Sequence, residues 1–251
     1  MRLAGRPLSV WSADLLVLAI VAIWYFAARR LPDFVLPGPL AVAERLALLF
    51  VDPDFLVHTL ASTLRVVFSV FAALVIGGAL ALLQRAVPAL DWVLRGGIVP
   101  FLSSFPSIGW AILAAIWFPA GHLSIIFVQV AILVPFCLIN IAEGLAQIDR
   151  EMAEMATSFT RRRWPRLWLV TIPLTMPYVI GALRIAYGIA WKISLVAELL
   201  GSSSGLGYVM LRAQGSADLT TVIASSLAIV VLFIAGEKYV LAPLSRRYAS
   251  M

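Results

Sequence analysis

The fold class the sequence predicts is all-α and embedded in a membrane, and three observations predict it. Of 251 residues, 62% are hydrophobic and 13% charged, and the mean hydropathy is +0.99. Soluble domains carry roughly 25% charged residues, so a water-facing surface could not be furnished from this pool. Apolar runs recur along the whole chain, several reaching the roughly 20 residues that cross a bilayer as a helix. The third observation is where charge sits. The net charge is +6, and the basic residues cluster in short segments between apolar runs, the pattern of the positive-inside rule. That distribution argues for a membrane surface and against nucleic acid. The single cysteine, Cys137, lies in an apolar run, so it allows no internal disulfide and suggests no metal cluster.

About six transmembrane helices are expected, in a single transmembrane domain spanning 1–251. Arg2 and Arg6 precede an apolar stretch ending at Ala28, an outline shared by signal peptides and membrane helices. Asp14 interrupts that stretch, and Arg29 and Arg30 stand where a small-residue cleavage site would be, so a retained first span is expected over 13–28. Pro32, Pro37 and Pro39 then block a continuous helix. Just beyond them, Leu40, Ala43, Leu46, Ala47 and Phe50 share a helical face opposite Glu44. That spacing suits a short helix in the membrane interface, and an ordinary packed connecting helix fits it nearly as well. The second span is expected over 59–83, ending in Gly77, Gly78 and Ala79, small residues that let another helix approach closely. The third covers 98–118, bent by Pro100, Pro106 and Gly109. A tight turn through Pro119 and Gly121 leads into the fourth, 122–141; the fifth covers 168–200 and the sixth 220–241.

With the N-terminus inside, Arg2, Arg6, Arg85, Arg95, Arg150, Arg161 to Arg163, Arg166, Arg246 and Arg247 face the cytoplasm. Arg29, Arg30, Arg45 and Arg212 remain outside, and six spans return the C-terminus to the inside. The segment 149–167 is then a cytoplasmic loop, longer than the 2–8 residues that commonly join neighbouring helices. Its first half is rich in helix formers, with Asp149 as a candidate N-cap and Glu151 and Glu154 where the helix dipole favours them. Arg161, Arg162, Arg163 and Pro165 break that pattern, and Pro165 suits the start of a second short helix. Anionic headgroups account for the arginines, at about 1 kcal/mol each, but would repel the two glutamates. A protein partner answers both signs of charge.

Here the residues resemble a known family. Glu154, Ala156, Val170, Ile172 and Pro173 fit the spacing of the EAA motif of ABC-importer permeases, with Pro173 setting the register. "LPGPLAV", "HTLASTLRVVFSVFAALVIGG" and "GALRIAYGIAWKISLVAELLGSSSGLGY" are similar to stretches of the taurine, aliphatic sulphonate and nitrate branch, with Arg65 at a familiar position. Four positions depart from the pattern: Met155 replaces a motif alanine, Thr160 its glycine, Ile112 a frequent proline and Pro119 a glycine. The resemblance implies a type I importer fold in the bacterial inner membrane, with 149–167 as a coupling helix. Glu151, Glu154, Met155, Ala156, Thr160, Arg161 and Pro173 would engage the ATPase. It also implies two ATPase subunits carrying ATP and Mg, a second permease copy as a homodimer, and a periplasmic or lipid-anchored binding protein.

Charges inside a span usually face protein or a water-filled cavity. Arg184 and Lys192 lie about 80° apart on an ideal helix, with Tyr187 and Trp191 close to them. Such a stripe suits an anion, and a purely structural pairing of Arg184 is the competing reading. Ser103 and Ser104 are candidates for the same path, although interhelical hydrogen bonds are the commoner use of such serines. Glu198, Gly201, Gly205 and Gly207 mark a candidate outer gate, a glycine-serine turn without the lysine of a phosphate loop. His58 and His122 have no metal-ligand spacing, and no catalytic constellation is legible, so no enzyme is expected. The rivals are an ion-gradient-driven transporter and a structural membrane protein; the first often shows internal repeats, which are not seen here.

Overall fold

The computed structural model describes the backbone of residues 2–3, 6–148 and 167–249, and the side chains of 14–148, 168 and 170–246. Apart from a two-residue antiparallel pairing of Arg2–Leu3 with Arg6–Pro7, every element is helical. In chain order these are α1 (Leu8–Ala28), α2 (Pro39–Leu49), α3 (Pro53–Ala86), α4 (Ala89–Ser104), α5 (Ser107–Trp117) and α6 (His122–Ala146). There follow α7 (Ile172–Gly201), α8 (Leu206–Gly215) and α9 (Leu219–Gly236), the last continuing through Glu237–Leu241 to Ala242–Ala249. Among the described residues, α3, α6, α7 and α9 are each long and apolar enough to cross a membrane.

The third expected span is not one helix. The chain turns by 85° between Ser104 and Ser107, so α4 and α5 qualify as a span only together. Pro106 explains the break: it offers no N–H, and it forces Phe105 into an extended conformation with φ −75° and ψ 127°. The first expected span lies within α1, which is 21 residues long and whose side chains are described from Asp14 on. Also unforeseen was α8, a helix that begins at the end of the glycine-serine stretch expected to be a turn.

The chain divides into two compact units. The first comprises 1–57 and 209–228. In it, Trp24 donates through Nε1 to the Pro37 carbonyl at 3.0 Å, fixing the proline-rich link between α1 and α2. Pro39 opens α2 in the first turn, where its missing N–H is not needed. The buried face of α2 is Val42 and Leu49, with Arg45 donating to Thr221 Oγ1 at 2.7 Å. Leu40, Ala43 and Ala47, on the apolar face marked out in the sequence, are exposed.

The second unit comprises 58–208 and 229–251. Among the described residues, two clusters of its core involve α6. One joins Trp110, Ala111 and Ala114 of α5 to Ile125 and Val128 of α6 and Ile193 and Ala197 of α7. The other gathers Ala81, Leu94, Val99, Leu138, Ile141, Leu145 and Ala182 from α3, α4, α6 and α7. Small residues set the spacing. A Cβ on Gly77 would lie 2.7 Å from Cys137 Cβ and 2.8 Å from the Leu138 nitrogen, and one on Gly144 would lie 2.5 Å from the Tyr178 ring. Here α3 meets α6 at backbone distance and the Tyr178 side chain of α7 lies against Gly144 of α6, the packing that small residues permit in membranes.

Candidate functional site

Opposite charges from two different helices meet where α3 passes the end of α7. Arg65 and Glu198 are each 1% exposed, and Arg65 Nη1 lies 2.9 Å from Glu198 Oε1. A buried ion pair is tolerable only when its remaining donors and acceptors are satisfied, and here they are. Ser62 Oγ lies 2.8 and 2.9 Å from the two carboxylate oxygens. The Gly207 N–H donates to Oε2 at 3.0 Å, and Ser194 Oγ lies 3.3 Å from Oε1. Arg65 spends its other donors on the Ser204 carbonyl at 2.8 Å, Ser204 Oγ at 2.6 Å and His122 Nδ1 at 3.1 Å.

The segment 201–207 is therefore wrapped around a carboxylate. Gly205 has φ +109°, in the left-handed region, and a Cβ there would lie 2.5 Å from the Glu198 carboxyl carbon. A Cβ on Gly207 would lie 2.7 Å from the Leu195 carbonyl oxygen. Gly201 is less demanding; its Cβ would meet Ser124 Oγ at 3.0 Å, and its carbonyl accepts the Gly121 N–H at 3.1 Å. The Gly205 N–H donates to His58 Nδ1 at 3.1 Å, and the Leu206 N–H to Ser62 Oγ at 2.8 Å. A glycine-serine segment that read as an open turn is tied to α3, α6 and α7 by hydrogen bonds.

Further along α7, Arg184 pairs with Glu237 in the π turn of α9, both side chains partly exposed. Tyr187 stacks on Phe233 with ring centroids 5.6 Å apart and planes at 19°, and meets Trp191 edge-on at 6.2 Å. Gly236 makes this possible, since a Cβ there would lie 2.0 Å from the Tyr187 hydroxyl. Trp191 is 4% exposed, and its Nε1 has no hydrogen-bond partner among the described residues. Lys192, one position on, is exposed and has no ion-pair partner among the described residues. The expected stripe is thus divided. Arg184 is neutralised by Glu237, Trp191 faces the core, and Lys192 stands on the open side. Ser103 and Ser104 are exposed at the end of α4, beside the break.

Pro173 opens α7 in its first turn. Glu151, Glu154, Met155, Ala156, Thr160 and Arg161 lie outside the described residues. Sequence reasoning missed Ser62, His58, His122, Ser204 and Glu237 as site residues. The signal that could have found two of these partnerships was the cost of charge in a membrane: Arg65, Arg184, Glu198 and Glu237 each sit in an apolar helix, and such charges pair.

Residues 66–237 match the model of the family described as binding-protein-dependent transport system inner membrane component. The chain belongs to this family. It is an ABC importer permease, a non-enzymatic integral subunit of the inner membrane that works with a separate ATPase and a substrate-binding protein. The permease is 26% identical to the taurine transport system permease protein TauC of Escherichia coli, over 85% of this chain and 79% of the relative. It is 27% identical to the nitrate import permease protein NrtB of Synechococcus elongatus, over 75% and 71%. The riboflavin transport system permease protein RibX of Chloroflexus aurantiacus is 31% identical to it, over 86% and 80%.

Proposed function

We propose that this permease, paired with an identical copy, forms the path for a small organic or inorganic anion such as taurine, a sulphonate or nitrate. The observation that carries this reading is Lys192, an exposed cation on α7 with no ion-pair partner among the described residues. Arg184, its nearest rival, is already matched by Glu237. Relatives named for taurine, nitrate and aliphatic sulphonates support the anionic class. Both termini face the cytoplasm, and the loop 149–167 reaches the ATPase, through Glu151, Glu154 and their neighbours. ATP and Mg bind on two ATPase subunits. Their closure moves α7 from the Pro173 end, and the Arg65–Glu198 clamp makes the outer turn move with it.

The test is uptake by the permease reconstituted with its ATPase and binding protein, with taurine, nitrate, short alkanesulphonates and riboflavin as competing solutes. Lys192→Gln should lower anion uptake about tenfold, the worth of one charge-assisted hydrogen bond, while Lys192→Arg keeps most of it. Uptake of riboflavin alone, indifferent to Lys192, would contradict the anionic reading.

A further inference from the structure

At the far end of α3 from the clamp, the second unit holds a cavity of about 520 Å³ where α3, α4 and α6 converge. Arg85, Asp91 and Arg95 line it, with Leu145 and Ile148 as its apolar wall. Arg85 commits one N–H to the Leu145 carbonyl in the last turn of α6. Arg95 commits Nε to Asp91 Oδ1 at 3.1 Å, in a pair whose side chains are 50% and 55% exposed. A guanidinium carries five N–H donors, so both forks keep donors that no described residue takes. With two arginines against one aspartate, the cradle is cationic.

A second hollow, about 360 Å³, adjoins it on the neighbouring face of the same helix, and this one is apolar. Trp92, Ile98 and Phe101 form its sides, with Trp92 82% exposed. Its floor is Gly96 and Gly97; a Cβ on Gly97 would meet nothing within 4 Å, so the missing side chains leave the hollow open. The π turn Leu94–Ile98 runs beneath both, with Leu94 anchored in the core. Asp91 and Arg95 face one hollow while Trp92 and Gly96, each one position on, face the other. A cationic cradle beside an apolar trough, with an exposed tryptophan between them, has the outline of one phospholipid: a phosphate joined to an acyl chain.

We propose that this face of α4 binds an anionic phospholipid of the inner leaflet. Arg85 and Arg95 hold its phosphodiester, and the trough over Gly96 and Gly97 takes the first part of one acyl chain. The leaflet follows from the orientation proposed above; the chemistry of the site does not depend on it. Because Arg85 also holds the last turn of α6, the lipid would brace the helix end from which the loop 149–167 departs.

Trp92 reports on the site directly. The full chain is reconstituted in vesicles of phosphatidylcholine containing phosphatidylglycerol, with bromine atoms on the acyl chains of one lipid or the other. The Trp92 signal is taken as the difference from Trp92→Phe. Brominated phosphatidylglycerol should quench it about tenfold more effectively than brominated phosphatidylcholine, as two basic contacts allow. Arg85→Gln with Arg95→Gln should abolish the preference. So should Gly97→Leu, which fills the trough and leaves both arginines and the core untouched. Millimolar inorganic phosphate should not displace the lipid. Displacement by free phosphate, or a preference that survives either the paired arginine substitution or Gly97→Leu, would overturn the proposal.

Discussion

Arg65 and Glu198 are separated by 133 positions in the chain and by 2.9 Å in the fold. Each alone would be among the costliest residues a membrane helix can carry; together they hold the segment 201–207 in one conformation. The energetics make a sharp prediction. Arg65→Leu leaves a buried carboxylate without its partner and should destabilise the permease by about 3–5 kcal/mol. Arg65→Leu combined with Glu198→Leu removes both charges and should recover most of that loss, read as the thermal midpoint of the solubilised protein. If the clamp serves transport, the double variant should be well folded and still fail in uptake. At Gly205, φ +109° and the 2.5 Å approach to Glu198 act together, so Gly205→Ala should cost more than the roughly 1 kcal/mol of a strained backbone alone. A melting point unmoved by Gly205→Ala would show that the turn is not held as described.

The helices show where a sequence is readable and where it is not. The long helices announced themselves through apolar runs of membrane length, and α6 and α7 lie close to the expected limits. Gly77 was legible as a point of close approach, although the partner it meets, Cys137, was not. Proline at 106 signalled a bend but not an 85° break, because the angle depends on what packs beneath. The π turns among the described residues, Leu94–Ile98, Leu167–Thr171 and Glu237–Leu241, leave no trace in hydropathy at all. The start of α8, Leu206 and Gly207, fell within the glycine-serine stretch that read as a turn.

The start of α9 carries the clearest prediction at this scale. Asp218 caps it, accepting the Thr221 N–H at 3.0 Å, while Arg45 of α2 bonds to Thr221 Oγ1. Burial pushes the Asp218 carboxyl upward, but the hydrogen bonds from Thr221 and the charge of Arg45 outweigh it and hold the group below the usual carboxylate range. A depressed acid stabilises the fold in its charged form. The cap should be at full strength above about pH 4, and weaken as pH falls through the lowered value. Amide-exchange protection at 219–222, taken relative to the intrinsic rate at each pH, would show it, falling in acid for the wild type and low throughout for Asp218→Ala. Just before this cap, Ala217 sits at φ 56°, where glycine carries no steric cost, so Ala217→Gly should stabilise the turn by about 1 kcal/mol.

For the whole molecule, composition, charge placement and the matched family agree on an importer permease. What the fold adds is an order along α7: Pro173 in its first turn, Glu198 and its clamp at the other end, and Lys192 on the open face between them. The claim that joins these parts is that the loop 149–167 receives the force. Purification of the tagged permease from its native host in mild detergent, beside a Glu154→Arg variant, tests this most directly. The account predicts that an ATPase accompanies the wild type and is lost from the variant. An ATPase retained undiminished by Glu154→Arg, or absent from both, would contradict it.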